Sequence, residues 1–244
     1  MCTVVILHRP GTSWPVMIAA NRDERVDRPA DPPGRWWPDR ADVLAGRDRL
    51  ADGSWLGVND AGVVAAMLNR SGTLGPAPGK RSRGELVLEA LDHADAADAA
   101  EALTALNPAA YRPFNMVIAD SRDVLWLRHT GQGVEVYPVP PGLSLLTARD
   151  LNDPADPRIA RHRPLFLELP VPDPAAEAWQ PWIAALGAGP ALSREDALCL
   201  PIEGGFGTVS ASLVAIPELP GRTTPVRLWH AEGPPDTTAF ARLQ

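Results

Sequence analysis

Cysteine is scarce in this chain, which has only Cys2 and Cys199 among 244 residues. Two cysteines cannot form a disulfide framework, and so few in a chain of this size are typical of a reducing compartment with both thiols free. We therefore expect a cytoplasmic protein. Cys199, within an apolar stretch, is expected to be a buried and inert thiol.

Positive charge is also in short supply. Lys and Arg total 23 against 30 Asp and Glu, a net charge of −7. Proteins that bind the phosphate backbone displace counterions with an excess of basic side chains, so the balance argues against general nucleic-acid binding. Two interpretations of residues 158–163 remain: a local basic patch, or the solvated face of a helix.

Long apolar runs are missing as well. Residues 3–7 are too short for a signal peptide or a membrane span, and no other apolar run reaches about 18 residues. The prolines cluster in short segments that are typical of loops rather than of an interdomain linker, and there is no internal repeat. We therefore expect one soluble domain over residues 1–244, with loops at 31–34, 76–79, 138–141 and 170–174.

The apolar patterns that are present predict strands, then helices, strands, helices and strands. Residues 59–62 predict a tight turn between two strands of the stretch 53–69, with Gly62 at positive φ. A capping box is expected at Ser82–Glu85. Because most neighbouring strands are joined by short hairpins, mainly antiparallel sheets are expected, with helices packed outside two of them. The other predicted strands are 4–7, 16–20, 115–119, 124–128, 134–137, 143–147, 209–216 and 226–231, and the predicted helices are 86–91, 94–106, 157–169, 177–186 and 193–200.

A cysteine directly behind the initiator methionine raises a chemical possibility. Removal of Met1 would give Cys2 both a thiol and a free α-amino group. The amine, with a pKa near 7.7–8.0, titrates far closer to neutral pH than a lysine and can act as the base for its own thiol. The alternative is a second-position cysteine with no function.

Polar clusters follow two of the predicted strands. They are Asn21-Arg-Asp-Glu24 and Asn69-Arg-Ser-Gly72. A carboxylate there could orient the amine of Cys2, and an amide donor could stabilise a tetrahedral oxyanion. Taken singly, each cluster is more typical of turn material, whereas the two together with Cys2 favour a site.

The remaining candidates indicate no metal and no cofactor. The five histidines lack ligand spacing, so a zinc site is not expected. Trp36 and Trp37 could line an apolar pocket or could pack as part of a loop.

Several motifs, in order along the chain, resemble those of the NRDE family, which is also named after transport and Golgi organisation. They are Met1-Cys-Thr3, Asn21-Arg-Asp-Glu24, Gly53-Ser-Trp-Leu-Gly-Val-Asn59, Met67-Leu-Asn-Arg70, Ser82-Arg-Gly-Glu-Leu-Val87, Phe114-Asn-Met-Val-Ile-Ala-Asp120 and Phe206-Gly-Thr208. The family in turn resembles the N-terminal-nucleophile hydrolases, most closely the choloylglycine hydrolase and penicillin V acylase branch. That likeness implies an α+β fold, a four-layer αββα sandwich of mainly antiparallel sheets.

By position, the resemblance implies that Cys2 is the nucleophile, Asp23 orients its amine and Asn69 stabilises the oxyanion. Asn21 also matches, whereas Ala20 stands where the acylase branch has an arginine, with Arg22 close by.

The pocket implied by the resemblance departs from the acylase branch elsewhere. Leu146-Thr147 is followed by Ala148 instead of asparagine, which leaves Asn152 as the nearest substitute. Arg158 resembles a helix-start arginine of the branch. Together with Asn21, Arg22 and Trp36, these two residues form the expected substrate-binding set.

Three functions remain open on these grounds. The first is a thiol amidohydrolase that acts on a small amide or acyl compound. The second, implied by the family, is non-catalytic binding and intracellular trafficking of haem or acyl-coenzyme A-like lipids. The weakest is a scaffold for secretory organisation with no small-molecule site.

Overall fold

In the computed structural model, residues 2–189, 191–220 and 224–244 are described, and their strands form two antiparallel sheets. Met1, whose removal the sequence predicts, lies outside these residues. The strands are β1 Thr3–His8, β2 Val16–Arg25, β3 Ala30–Gly34, β4 Val43–Asp48, β5 Leu56–Asn59, β6 Val64–Asn69, β7 Phe114–Ala119, β8 Val124–His129, β9 Val134–Pro138, β10 Gly142–Leu146, β11 Phe206–Ile216, β12 Arg227–Ala231 and β13 Ala241–Arg242.

The two sheets pack face to face. One has the order β10-β1-β2-β11-β12-β13 and the other runs β3-β4-β5-β6-β7-β8-β9. Apolar side chains from both, among them Ile6, Ile18 and Val117, form a buried core between the sheets.

Helices cover the outer face of each sheet. They are α1 Gly84–Leu91, α2 Ala96–Thr104, α3 Pro157–Glu168 and α4 Gln180–Leu186, with short 3-10 turns at Pro38–Arg40 and Pro108–Ala110. α1 and α2 share a core with the seven-stranded sheet, and α3 and α4 share one with the six-stranded sheet. The predicted four-layer αββα sandwich is thus confirmed.

Strand β2 is buried on both faces and divides its side chains between them. Ile18 and Ala20 enter the core between the sheets, whereas Met17 and Ala19 enter the core beneath α3 and α4. Side chains alternate along a strand. Farther along β2, Arg22 is therefore on the face between the sheets, whereas Asn21 and Asp23 are on the face beneath the helices.

Several predictions about local structure were wrong. The segment 31–34, expected to be a loop, lies in β3 at a sheet edge, where its prolines break the register between Asp31 and Gly34. The NRDE motif lies inside β2 instead of following it. Helix α1 begins at Gly84 without a side-chain cap, and Ser82 Oγ only accepts a hydrogen bond from the Gly84 amide at 3.2 Å.

The predicted helix over 193–200 is absent from the described structure. The backbone amides of Leu198 and Cys199 donate to Ala188 O at 2.9 and 3.2 Å. The Leu200 amide donates to Thr208 Oγ1 at 2.7 Å. One i to i−4 bond is present, from the Ala197 amide to Ser193 O at 2.9 Å, and the long-range bonds replace the rest of the pattern that a helix would need. By contrast, the predicted turn at 59–62 is confirmed, with Gly62 at φ +104°.

No helix within the described ranges combines the length and apolar character that a membrane crossing would need.

Candidate active site

The thiol of Cys2 lies against the backbone of Asp23. Strand pairing sets Thr3 opposite Asn21, which brings the residue before β1 alongside the end of β2. The Asp23 amide donates to Cys2 Sγ at 3.4 Å, and the thiol donates to Asp23 O at 3.6 Å. These two contacts fix a half-buried sulfur at the edge of the six-stranded sheet.

The surroundings of Cys2 disfavour its thiolate. Burial raises the pKa of the Cys2 thiol above its ordinary value, and the negative charge of Asp23 raises it further. Since the thiolate is the nucleophilic form, attack at neutral pH requires a base that takes the proton from sulfur.

The Asp23 carboxylate lies on the other face of the sheet, under α3. Thr208 donates to its Oδ1 at 2.6 Å, and Arg158 Nη1 lies 3.7 Å from its Oδ2. The side chains of Arg158 and Asp23 are 6% and 0% exposed. A buried ion pair of this kind holds both groups in place, and removing one partner is costly.

A β-bulge makes this arrangement possible. The register between β11 and β2 shifts between Thr208 and Ser210, so Thr208 pairs with Asp23 while Ser210 pairs with Arg22. The extra residue sends Thr208 to the helix face and Ser210 to the face between the sheets, as bulges near active sites often re-aim side chains.

Cys2 opens into a cleft of about 500 Å³. Trp55 and Met67 supply apolar surface, and Asn69, at the end of β6, also lines the cleft. The Arg22 guanidinium lies over the Trp55 ring, 4.0 Å from its centroid. Burial lowers the pKa of Arg22, although a guanidinium stays charged at neutral pH.

A narrow cavity continues from Cys2 into the space between the sheets. Its lining includes Arg22, Ser210 and Ser212, and its volume of about 20 Å³ is close to that of one water. Ser210 Oγ is buried and has no hydrogen-bond partner among the described residues. The cavity therefore offers a hydroxyl to a small molecule bound next to the sulfur.

The first 168 residues of the chain match the family model for Transport and Golgi organisation 2. The chain belongs to the Transport and Golgi organisation 2 family. Among curated members, the mouse Transport and Golgi organization 2 homolog is 31% identical over 113 residues, which are 44% of this chain and 40% of the mouse protein. The bovine homolog is 32% identical over the same shares. The alignment therefore spans less than half the length of these relatives.

Solved structures resemble this family member over its whole length. The Caenorhabditis elegans N-acylethanolamine-hydrolyzing acid amidase ortholog gives a TM-score of 0.62 at 12% identity, with 100% of both chains covered. A variant of the conjugated bile acid hydrolase from Clostridium perfringens gives 0.54 at 13% identity, covering 100% of this chain and 97% of the hydrolase. At such identities the likeness shows the fold alone, which is that of the N-terminal-nucleophile hydrolases.

Not every predicted site residue reaches the cleft of this family member. Trp36 is 37% exposed and its Nε1 donates to Pro32 O at 2.9 Å, so it lies outside. Asn152 accepts from the Leu145 amide and donates to Ser144, both in β10, and does not line the cleft either. These two placements correct the predicted substrate-binding set.

Asn21 and Arg158 lie on the helix side of the sheet. Asn21 Nδ2 donates to Leu186 O and Leu198 O at 2.9 and 3.0 Å, which ties α4 and the segment near Cys199 to β2. Arg158 contacts Asp23 from α3. Neither residue lines the cleft of about 500 Å³. Both instead hold β2 and Asp23 in place from the helix side of the sheet.

Sequence reasoning did not assign roles to Trp55, Thr208 or Arg83. Each falls within a family motif, so a signal was present, but the motif does not say which face of a strand its residues occupy. Trp55 and Arg83 line the cleft, and Thr208 binds the Asp23 carboxylate. In the part of the chain described, no group of three or more His, Cys, Asp or Glu side chains is placed to hold a metal ion.

His230 makes the stability of the fold sensitive to acid. It is buried on β12, with Nδ1 2.9 Å from Ser212 Oγ. Burial, and then the charge of Arg22, lowers its pKa to about 4. The unfolded chain binds this proton below about pH 6.5 and the folded chain does not, so stability is complete above that pH and is lost as pH falls towards 4. We expect a loss of about 3 kcal/mol from this group.

Urea unfolding at pH 7.5 and pH 4.5 tests this expectation. His230→Gln, which cannot bind a proton, should show a smaller difference between the two pH values than the unmodified chain. Buried His129 and His162 remain in both proteins and cancel in the comparison. Equal differences in the two proteins would contradict the assignment.

Proposed function

We propose that this protein is an amidohydrolase that cleaves a small amide or acyl compound through Cys2. The observation that carries the proposal is the placement of the Cys2 sulfur on the backbone of Asp23 at the mouth of a cleft. Removal of Met1 would put a primary amine on Cys2, next to its own thiol, and in this proposal the Asp23 carboxylate orients that amine.

The amine is the base that the raised pKa of the thiol requires. Taking the proton from sulfur, directly or through a water, it leaves a thiolate that attacks the carbonyl carbon of the substrate. An S–C bond forms, and the carbonyl oxygen becomes an oxyanion. The ammonium then gives its proton to the leaving amine or alcohol as the C–N or C–O bond breaks. Water hydrolyses the resulting thioester and restores the thiol.

The remaining site residues stabilise this charge pattern. Asp23 offsets the positive charge on the amine, and Thr208 and Arg158 hold the carboxylate in position. Asn69, across the cleft, supplies an amide donor for the oxyanion. The small cavity lined by Ser210 gives the hydrolytic water a place beside the sulfur.

Intact-mass analysis with and without an activated acyl ester tests the proposal. We expect a chain without Met1 that gains one acyl group, mapped to Cys2 by peptide analysis. A matched control carries two extra residues ahead of Cys2, which keeps the thiol and removes its α-amine; it should label far more slowly. Labelling of Cys199 or of Lys80, the chain's single lysine, in place of Cys2 would overturn the proposal.

A second candidate is binding and trafficking of haem or an acyl-coenzyme A-like lipid without turnover. The apolar surface of Trp55 and Met67 in the cleft favours it. The unmodified protein separates it from hydrolysis: the ligand would stabilise it against thermal unfolding and would be recovered unchanged, with no acyl adduct on Cys2.

A further inference from the structure

The cleft next to Cys2 has the opposite charge to the chain as a whole. The chain carries a net charge of −7. Among the described residues that line the cleft, three are acids, Asp23, Glu24 and Asp48, and seven are bases, Arg22, Arg25, Arg28, Lys80, Arg81, Arg83 and Arg112. A cleft lined by one sign of charge focuses the field and concentrates ligands of the other sign.

Most of these bases already have partners within the protein. Arg25 pairs with Asp27, Arg28 with Asp48 and Arg81 with Glu85, at N–O distances of 2.6, 2.6 and 2.8 Å. Lys80 and Arg112 donate to backbone carbonyls of neighbouring loops. These contacts organise the walls of the cleft and leave little hydrogen-bonding capacity for a ligand.

Arg22 differs from the others. Within the described ranges its guanidinium makes no hydrogen bond and no ion pair, and the specific contact of this side chain is with the Trp55 ring at 4.0 Å. Stacking fixes the plane of the guanidinium while leaving its N–H groups unused. A planar, pre-positioned guanidinium is the side chain best suited to bind a carboxylate or phosphate through two parallel hydrogen bonds.

Arg83 adds a second cation with no acidic partner among the described residues. It donates to Thr73 O, Thr73 Oγ1 and Pro113 O at 2.9 to 3.0 Å. Burial, and then the charge of Arg112, lowers its pKa to about 10. Its positive charge is therefore held in the wall of the cleft without a neutralising carboxylate.

We propose that Arg22, supported by the charge of Arg83, binds an oxyanion of the substrate, so that the enzyme acts on acyl compounds that carry a carboxylate or phosphate near the scissile carbonyl. This substrate class rests on the proposed hydrolase activity. The anion site itself does not, because it can be measured on Cys2 without turnover.

Alkylation of Cys2 by iodoacetate and by iodoacetamide measures the site directly. The two reagents have similar size and react in the same way: the thiolate forms an S–C bond and iodide leaves. Because both react with the same thiolate, the ratio of their rates cancels any effect on the thiolate fraction. They differ in charge, so the ratio reports on the anion site. Buried Cys199, whose pKa is raised to about 12, should react slowly and is followed separately by peptide mapping.

We expect iodoacetate to be favoured in the unmodified protein and the ratio to fall about tenfold in Arg22→Gln. Arg22→Lys keeps the charge but cannot make two parallel hydrogen bonds, so it should give an intermediate ratio. Arg25→Gln is the matched control, since Arg25 lines the same cleft but is paired with Asp27; its ratio should not change. Far-UV circular dichroism and urea midpoints confirm that each variant is folded.

Competition distinguishes the two sources of the oxyanion. Inorganic phosphate or succinate should slow the labelling of Cys2 in the unmodified protein and not in Arg22→Gln, and the stronger competitor identifies the preferred group. An unchanged ratio in Arg22→Gln, an equal fall for both reagents, or protection by neither anion would overturn the proposal. Failure of acyl turnover with the ratio effect intact would instead overturn the hydrolase function and leave the anion site standing.

Discussion

Cys2→Ala is expected to lose acylation completely and to lower kcat by on the order of 10³-fold or more, as removal of a catalytic nucleophile does. The thiol is the only atom of the site that forms a covalent bond in the proposed reaction. Turnover of the identified substrate and intact mass after incubation with the acyl ester are the two measurements.

Two controls separate this loss from a change in stability. Cys2→Ser keeps the amine and an oxygen in the place of sulfur, and should retain a slow reaction because the hydroxyl is the poorer nucleophile. Cys199→Ser, at the other cysteine, should keep full acylation. Because Cys2 is half-buried and packs only at the edge of the core, Cys2→Ala should change the free energy of unfolding by less than about 1 kcal/mol. Turnover that survives in Cys2→Ala would exclude the thiol mechanism.

Asp23→Asn is expected to have the second-largest effect, and to act on activity and stability together. The substitution keeps the shape of the side chain but removes the charge that faces Arg158 from 3.7 Å inside the protein. Leaving a buried charge without its counterpart costs about 3–5 kcal/mol. The same change removes the carboxylate that we propose orients the amine of Cys2, so kcat should fall as well.

The double variant Asp23→Asn with Arg158→Met tells the two effects apart. Replacing both partners of a buried ion pair by uncharged groups is often neutral for stability, so urea unfolding should recover most of the loss. Activity should not recover, since the carboxylate is still missing. Asp27→Asn removes a carboxylate from an exposed ion pair nearby and should cost less than about 1 kcal/mol. Recovery of activity in the double variant would reduce Asp23 to a structural role.

The fold was predictable where local chemistry and tertiary structure agree. The stretch 53–69 has a turn that needs a positive φ and places Gly62 there, with apolar runs on both sides. The segments 193–200 and 31–34 failed for the opposite reason. The first is held by hydrogen bonds from its backbone amides to Ala188 and Thr208. The second pairs at a sheet edge although it contains two prolines. Neither partner can be read from the segment itself.

The site was predictable where it depends on motifs in the sequence and not where it depends on which face of a strand a side chain occupies. Motif order led to Cys2, Asp23 and Asn69, which the structure gathers around one cleft. The roles of Trp55 and Arg22 depend on their being on the same side of the cleft, and the role of Thr208 depends on a bulge at the following residue. A shift of one residue moves a side chain to the other face of the sheet and so decides these contacts. No pattern in the sequence of β11 predicts where that shift occurs. Trp36 was chosen for its aromatic character, which carries no information about where its loop lies.

The sulfur of Cys2 and the carboxylate of Asp23 lie on opposite faces of one sheet, and only the main chain passes between them. In the proposed reaction the proton acceptor is the main-chain nitrogen of Cys2, which is an inert amide for as long as Met1 is attached. If the proposed reaction operates, a polypeptide that still carries Met1 would be a folded precursor without catalysis. Its activation would depend on the aminopeptidase that trims it, so that the cellular supply of that maturation step, and not folding, would set the amount of working enzyme.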